Sequence, residues 1–219
     1  MIKSLFFISL LAVSSIAFVR CSDDETTPKQ VVSTTFPNLP ADPGTGFNPD
    51  TGQPIGTTGK FTFFSFESGE IVPNADSATA NWDLGFRATT IIVNSATSGP
   101  GTTQVQLVNG IFDELAEAPV DGYVSDNDPS PIAGAPNANL AIPTGSGNGW
   151  YNASQGPPPT IITPIAGRLI VVKTSDGRYA KMEILSYYED APANPTGVEP
   201  ARYYTFRYVY QPNATNTFN

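Results

Sequence analysis

Two runs of apolar and β-branched residues, Leu169 to Lys173 and Tyr179 to Tyr188, flank the turn Thr174-Ser175-Asp176-Gly177-Arg178. An Asp-Gly pair between such runs is a strong hairpin signal, because the glycine adopts the positive φ that a tight turn needs while the strands keep the alternation that buries one face. The same pattern recurs upstream. Phe61 to Phe66 runs into Glu67-Ser68-Gly69, Trp82 to Arg87 alternates apolar with polar residues, Thr89 to Val93 is β-branched, and Val105 to Val108 stops at Asn109-Gly110. A last run, Tyr203 to Tyr210, ends before Gln211-Pro212. Only Ile111 to Ala118 has the composition of a short helix, and Pro119 would end it. The expected class is therefore all-β: many short antiparallel strands with long loops and at most one short helix, in a single domain spanning 61–219.

The N-terminal part reads differently. Met1 to Arg20 has a positive start at Lys3 and an apolar run from Leu5 to Val19, too short for a membrane-spanning helix and followed at once by Ser22, Asp23, Asp24 and Glu25. This is the pattern of a secretory signal peptide over 1–20. The only cysteine, Cys21, closes the run and has no disulfide partner in its own chain, so lipid attachment explains it best. The alternative is a free or intermolecularly paired thiol. Loss of Lys3 and Arg20 with the leader would take the formal charge from −9 to −11. So acidic a protein lacks the basic footprint that nucleic acid or anionic lipid requires, which leaves a lipid anchor as its only expected link to a membrane.

From Ser22 to about Lys60 the chain is rich in Thr, Pro, Gly and Asp without sustained periodicity, and is expected to be a flexible, dispensable tether over 21–60. The competing expectation is that Phe36 and Phe47 dock on the domain. A second irregular stretch, Asp121 to Pro164, lies inside the domain and is the first place to look for a ligand site, since long loops in compact domains tend to bind.

The chain contains no histidine, which removes the commonest general base, the commonest metal ligand and every Ser-His or Cys-His arrangement. The carboxylate pairs Asp113 with Glu114 and Glu67 with Glu70 come with no other catalytic signature and read as solvated faces. Asp126-Asn127-Asp128 lacks the ligand spacing of a calcium loop and reads as a turn before Pro129. The expectation is a binding protein, not an enzyme.

Between Phe61 and Gln211 an ordered set of motifs resembles the HmuY family of Bacteroidetes haem-binding lipoproteins. Its pieces are Phe63-Phe64-Ser65-Phe66, Asn81-Trp82-Asp83-Leu84-Gly85-Phe86-Arg87, Thr90 to Ser95, Thr97-Ser98-Gly99-Pro100-Gly101, Ala118-Pro119, Trp150-Tyr151, Asp176 to Lys181, Ser186-Tyr187-Tyr188 and Tyr204 to Tyr208. Phe18-Val19-Arg20-Cys21 resembles a lipobox, with Arg20 departing from the usual small residue, and the acidic run after it resembles a surface-export tag. The resemblance implies an all-β domain, lipid-anchored in the outer membrane at the cell surface, that binds haem for iron acquisition and delivers it to an outer-membrane receptor. In haem-carrying members the axial ligands are His or Met from the part of the chain corresponding to Asp121 to Pro164. Here the only Met after the leader is Met182, expected in the core because it shares a strand face with Ala180 and Ile184. Tyrosine is the next candidate ligand of ferric haem, and Tyr123 and Tyr151 lie in the right region, with Trp150 as an apolar contact. The alternatives are a non-haem ligand-binding module of the same fold and an adhesive surface lipoprotein.

Overall fold

The computed structural model describes residues 27–51, 54–126, 139–156 and 159–219. Its strands are β1 (Val32–Pro40), β2 (Gly46–Phe47), β3 (Pro54–Ile55), β4 (Thr62–Ser65), β5 (Glu70–Val72), β6 (Leu84–Arg87) and β7 (Thr90–Val93). They continue with β8 (Gln104–Asn109), β9 (Tyr151–Ala153), β10 (Ile162–Pro164), β11 (Arg168–Lys173), β12 (Tyr179–Tyr188) and β13 (Ala201–Gln211). A five-stranded antiparallel sheet runs β1-β13-β12-β11-β8, a four-stranded one runs β5-β4-β6-β7, and β2–β3 and β9–β10 are small hairpins. The all-β expectation holds, with one turn of 3-10 helix at Asn74–Asp76 as the helical content among the described residues.

Period-two alternation builds the core. Tyr204, Phe206, Tyr208 and Tyr210 of β13, Ala180, Met182 and Ile184 of β12, and Ile170 and Val172 of β11 meet Phe64, Phe66, Leu84, Phe86, Ile91 and Val93 from the smaller sheet. Each large side chain fully buried there stabilises by roughly 1.5–3 kcal/mol. Edge-to-face contacts such as Phe64 on Phe206, centroids 5.2 Å apart, add directionality. Met182 is fully buried in this layer, as expected.

The tether expectation is corrected. Val32–Pro40 is an edge strand on β13, with Val32 opposite Tyr210 and Phe36 opposite Phe206. Phe36 stacks on Phe206 at 5.6 Å, and Leu39 and Ala41 are fully buried. Past the strand, Asp42 accepts hydrogen bonds from the Thr58 amide (2.7 Å) and hydroxyl (2.9 Å) and the Gly59 amide (2.8 Å), closing the loop that carries β2 and β3. Burial pushes the Asp42 carboxyl up, but these bonds and the Arg202 guanidinium outweigh it and hold it below the usual carboxylate range. Prolines and threonines hid the strand because an edge strand tolerates both and buries only one face.

The expected helix over Ile111 to Ala118 is also corrected: the segment is a series of turns. The Ile111 carbonyl accepts from the Glu114 and Leu115 amides, but the carbonyls of Phe112, Leu115 and Ala116 go to partners outside the segment. Lys181, on the outer face of β12, donates from Nζ to Phe112 O (2.6 Å) and Leu115 O (2.8 Å), while Ala118 and Phe218 amides pair with Asn216 and Ala116 carbonyls. Asp121 to Pro164, expected to be irregular, contains the β9–β10 hairpin, with Ile162 opposite Ala153. Asp126 anchors the start of that stretch. It is fully buried and accepts from the Val93 amide (2.8 Å) and the Ala141 amide (2.7 Å), so it serves as a clamp. Asn127 and Asp128 lie outside the described residues.

Candidate functional site

At one end of the sandwich β9 and β10 bring Trp150 and Tyr151 against the irregular end of the β12–β13 pair, where the register shifts around Ser186. The Trp150 ring lies 4.9 Å from Tyr151, 5.8 Å from Tyr187 and 5.0 Å from Tyr204. Its Nε1 donates to Thr89 O at 3.0 Å, which fixes the indole against the β6–β7 turn. Trp150 is 2% exposed and Tyr151 8% exposed. Beside this cluster is a pocket of about 240 Å³, with Thr89, Ile162, Tyr187, Tyr188 and Arg202 in its walls.

The hydroxyls of the cluster are differently engaged. Tyr204 donates to Ala88 O at 2.8 Å, and Tyr188 accepts from the Ile162 amide at 2.9 Å. Burial pushes the Tyr187 phenol well up, partly opposed by Arg202, whose guanidinium also hydrogen-bonds it. Burial raises Tyr204 as well.

Arg202 is the residue that sequence reasoning missed. It adopts φ 71°, donates from Nη1 to Asp42 O at 3.0 Å, and presents its charge to the pocket. In Pro200-Ala201-Arg202-Tyr203 nothing sets it apart from a solvated strand-end arginine. Three other arginines, Arg87, Arg168 and Arg178, are already engaged. Arg87 donates to Gly59 O at 3.0 Å, Arg168 to Asn109 Oδ1 at 2.8 Å and Gly149 O at 2.8 Å, and Arg178 pairs with Asp176 at 3.6 Å.

Tyr123 is not brought to this cluster. It packs on the opposite face of the five-stranded sheet, among residues grouped with Phe112, Leu169, Val171 and Phe218, with its ring 6.1 Å from Tyr179. Its hydroxyl is buried without a partner among the described residues, and burial pushes it up, so its phenolate is disfavoured where it stands. The carboxylates Asp113 and Glu114 likewise form no joint site: Asp113 pairs with Arg207 at 3.3 Å. Cys21 and its flanks lie outside the described residues. Among the described residues no helix is long and apolar enough to cross a membrane, and no cluster of His, Cys, Asp and Glu could hold a metal ion.

Three comparisons bear on this arrangement. The family model HmuY, described as HmuY protein, matches residues 57–208. Among solved structures the chain is similar to the apo HmuY analog of Tannerella forsythia, with 13% identity over 85% of this chain and 99% of that one at a TM-score of 0.47. It is similar to apo PinO from Porphyromonas gingivitis, with 14% identity over 84% and 98% of the two chains at 0.47. A Bacteroides vulgatus protein, described as a candidate HmuY-like heme-binding protein, shares 19% identity over 70% and 86% at 0.45. No curated protein matches the chain. With well over half of its length matched by the family model, the chain belongs to the HmuY family.

Proposed function

We propose that the mature protein is a lipid-anchored surface protein that captures haem and passes it to an outer-membrane receptor. The observation that carries this reading is the pocket beside Trp150 and Tyr151, where the side chains of Ile162, Tyr187 and Tyr188 stand next to the Arg202 guanidinium. A porphyrin needs that pair of features: flat aromatic surface for the macrocycle and a cation for a propionate. At about 240 Å³ the pocket admits one edge of the macrocycle, and the rest would lie over the β9–β10 hairpin. HmuY-like proteins bind ligands and are not enzymes, in keeping with the missing histidine.

Tyr151 is the proposed ligand to ferric iron. Tyr188 and Tyr204 are held by backbone groups, Tyr187 by Arg202, and Tyr123 lies on the other face. Only the charge of the iron would offset loss of the phenol proton, and a single ligand of this kind gives pentacoordinate haem. Titration of ferric haem followed at the Soret band is expected to show saturable binding at micromolar concentration. Tyr151→Phe should then shift the band and weaken binding about tenfold or more, while Tyr123→Phe changes neither. No saturable shift would end the haem reading.

A non-haem ligand of the same pocket is the second reading, favoured by the absence of histidine and by the complete burial of Met182. The anchor is tested separately: Cys21→Ser is expected to move the protein from the membrane fraction to the soluble one, and retention in the membrane pellet would remove lipidation from the proposal.

A further inference from the structure

A larger cleft lies away from the aromatic pocket, between the β4–β5 turn, the segment before β6, the β11–β12 turn and the end of β13. Its volume is about 670 Å³, within the range of roughly 300–1,000 Å³ in which small-molecule sites fall. Four acidic side chains line it, the exposed Glu67, Glu70 and Asp176 and the buried Asp83, whose carboxyl burial pushes up, and no lysine or arginine does. Arg178 pairs with Asp176 from outside the lining, leaving the other three without an ion pair among the described residues.

The floor is Tyr210. It is 3% exposed, it faces the cleft, and among the described residues its hydroxyl has no hydrogen-bond partner. That hydroxyl stands in the field of Asp176, Glu67 and Asp83. One wall is apolar, formed by Ile71, Val72, Pro73 and Ala80, and Ile71 is 41% exposed although it sits on a strand.

We propose that this cleft binds an organic cation: a primary ammonium group seated near Tyr210 and the carboxylates, with a short apolar stem along Ile71 and Val72. An ammonium offers three donors, which match an unpartnered phenol oxygen and carboxylate oxygens on two walls. The carboxylates are spread along the cleft and do not converge, which suits an extended organic cation and not a metal ion. The same charge repels the propionates of haem, so this site is distinct from the proposed haem pocket and stands or falls independently of it. The ammonium group belongs either to a free amine or to a lysine side chain of an extended peptide, for which the edge strand β5 offers unpaired backbone groups.

The probe is n-hexylammonium chloride added to the isotopically labelled chain beginning at Ser22, with hexanol and hexanoate as neutral and anionic controls. Amide resonances of residues 67–72, 80–83 and 174–176 are expected to shift saturably with hexylammonium and not with either control. The double variant Glu67→Gln/Glu70→Gln, which alters only exposed side chains, should weaken binding about tenfold, and Tyr210→Phe about threefold. A peptide Ac-Val-Lys-Val-NH2 that binds tighter than hexylammonium assigns the group to a lysine side chain, and weaker binding assigns it to a free amine. Equal shifts with hexanol, no saturable shift with hexylammonium, or unchanged affinity in the double variant would overturn the proposal.

Discussion

A chain that begins at Lys60 is expected not to fold, whereas one that begins at Thr27 folds. The deletion removes β1 and uncovers the edge of β13, the strand that contributes Tyr204, Phe206, Tyr208 and Tyr210 to the core. Leu39 is fully buried, and truncating such a residue to Ala alone costs about 2–5 kcal/mol, against a total stability of about 5–15 kcal/mol for a typical domain. Phe36, which contacts Phe64 at 5.1 Å and Phe206 at 5.6 Å, is lost with it, as is the Asp42 carbonyl that accepts from Arg202. Denaturant unfolding followed by tyrosine and tryptophan signals is the check. A cooperative transition of the Lys60 chain at the midpoint of the longer one would show that β1 is ornamental.

The second large effect concerns Asp83. Its side chain is buried and accepts a hydrogen bond from the Phe66 amide at 2.8 Å and another from the Thr103 side chain. Burial, reinforced by Asp176 and Glu67 and only partly opposed by the hydrogen bonds from Phe66 and Thr103, pushes its carboxyl up to about 7. Between about pH 4 and pH 7 the folded state therefore holds a proton that the unfolded state has released, so stability falls as pH rises through that window and stays low above it. A shift of this size corresponds to at most about 4 kcal/mol. Asp126, also raised by burial, acts with the same sign. Asp42 and Glu199, whose carboxyls lie below their usual range, act in the opposite sense, and only at more acid pH. Asp83→Asn keeps an acceptor for Phe66 and removes the charge. It is expected to be more stable than the parent at pH 8 by about 1–3 kcal/mol, with the difference shrinking towards pH 4 and a flatter profile between. A parent more stable at pH 8 than at pH 5, or a variant destabilised equally at both, would contradict this account of Asp83.

Most strands of the two sheets are legible in the sequence, because alternation in Tyr179 to Tyr188 and Tyr203 to Tyr210 states which residues face inward. The missed elements share a cause. β1 lies at an edge and buries little beyond Phe36, Leu39 and Ala41, and β9–β10 sits among prolines, so neither carries a two-sided pattern. The false helix over Ile111 to Ala118 arose because local composition cannot report that Lys181, some 70 residues away, takes the carbonyls of Phe112 and Leu115.

The candidate site was less legible for a different reason. Much of the motif set that resembles the family has a structural role here. The Asn94 side chain donates to Trp82 O and Thr79 O and accepts from the Gly101 amide. Gly99 lies where a Cβ would come within 2.1 Å of Asn94 Oδ1 and 2.6 Å of Trp82 Cζ2. Such residues announce a fold without announcing a ligand. Trp150 and Tyr151 were legible as an adjacent aromatic pair, but their joining to Tyr187, Tyr204 and Arg202 depends on the packing of the β9–β10 hairpin against β12 and β13, some 35 to 50 residues further on.

The most direct test of haem capture at that cluster is the amide spectrum of the chain beginning at Thr27, recorded with ferric haem and with diamagnetic gallium protoporphyrin as reference. Paramagnetic broadening is expected around residues 151–153, 160–162, 187–189 and 197–203, with residues 67–72 and 112–118 left sharp. Broadening centred on 67–72 and 174–176, or on the face that holds Tyr123, would contradict the account, as would spectra unchanged by either porphyrin.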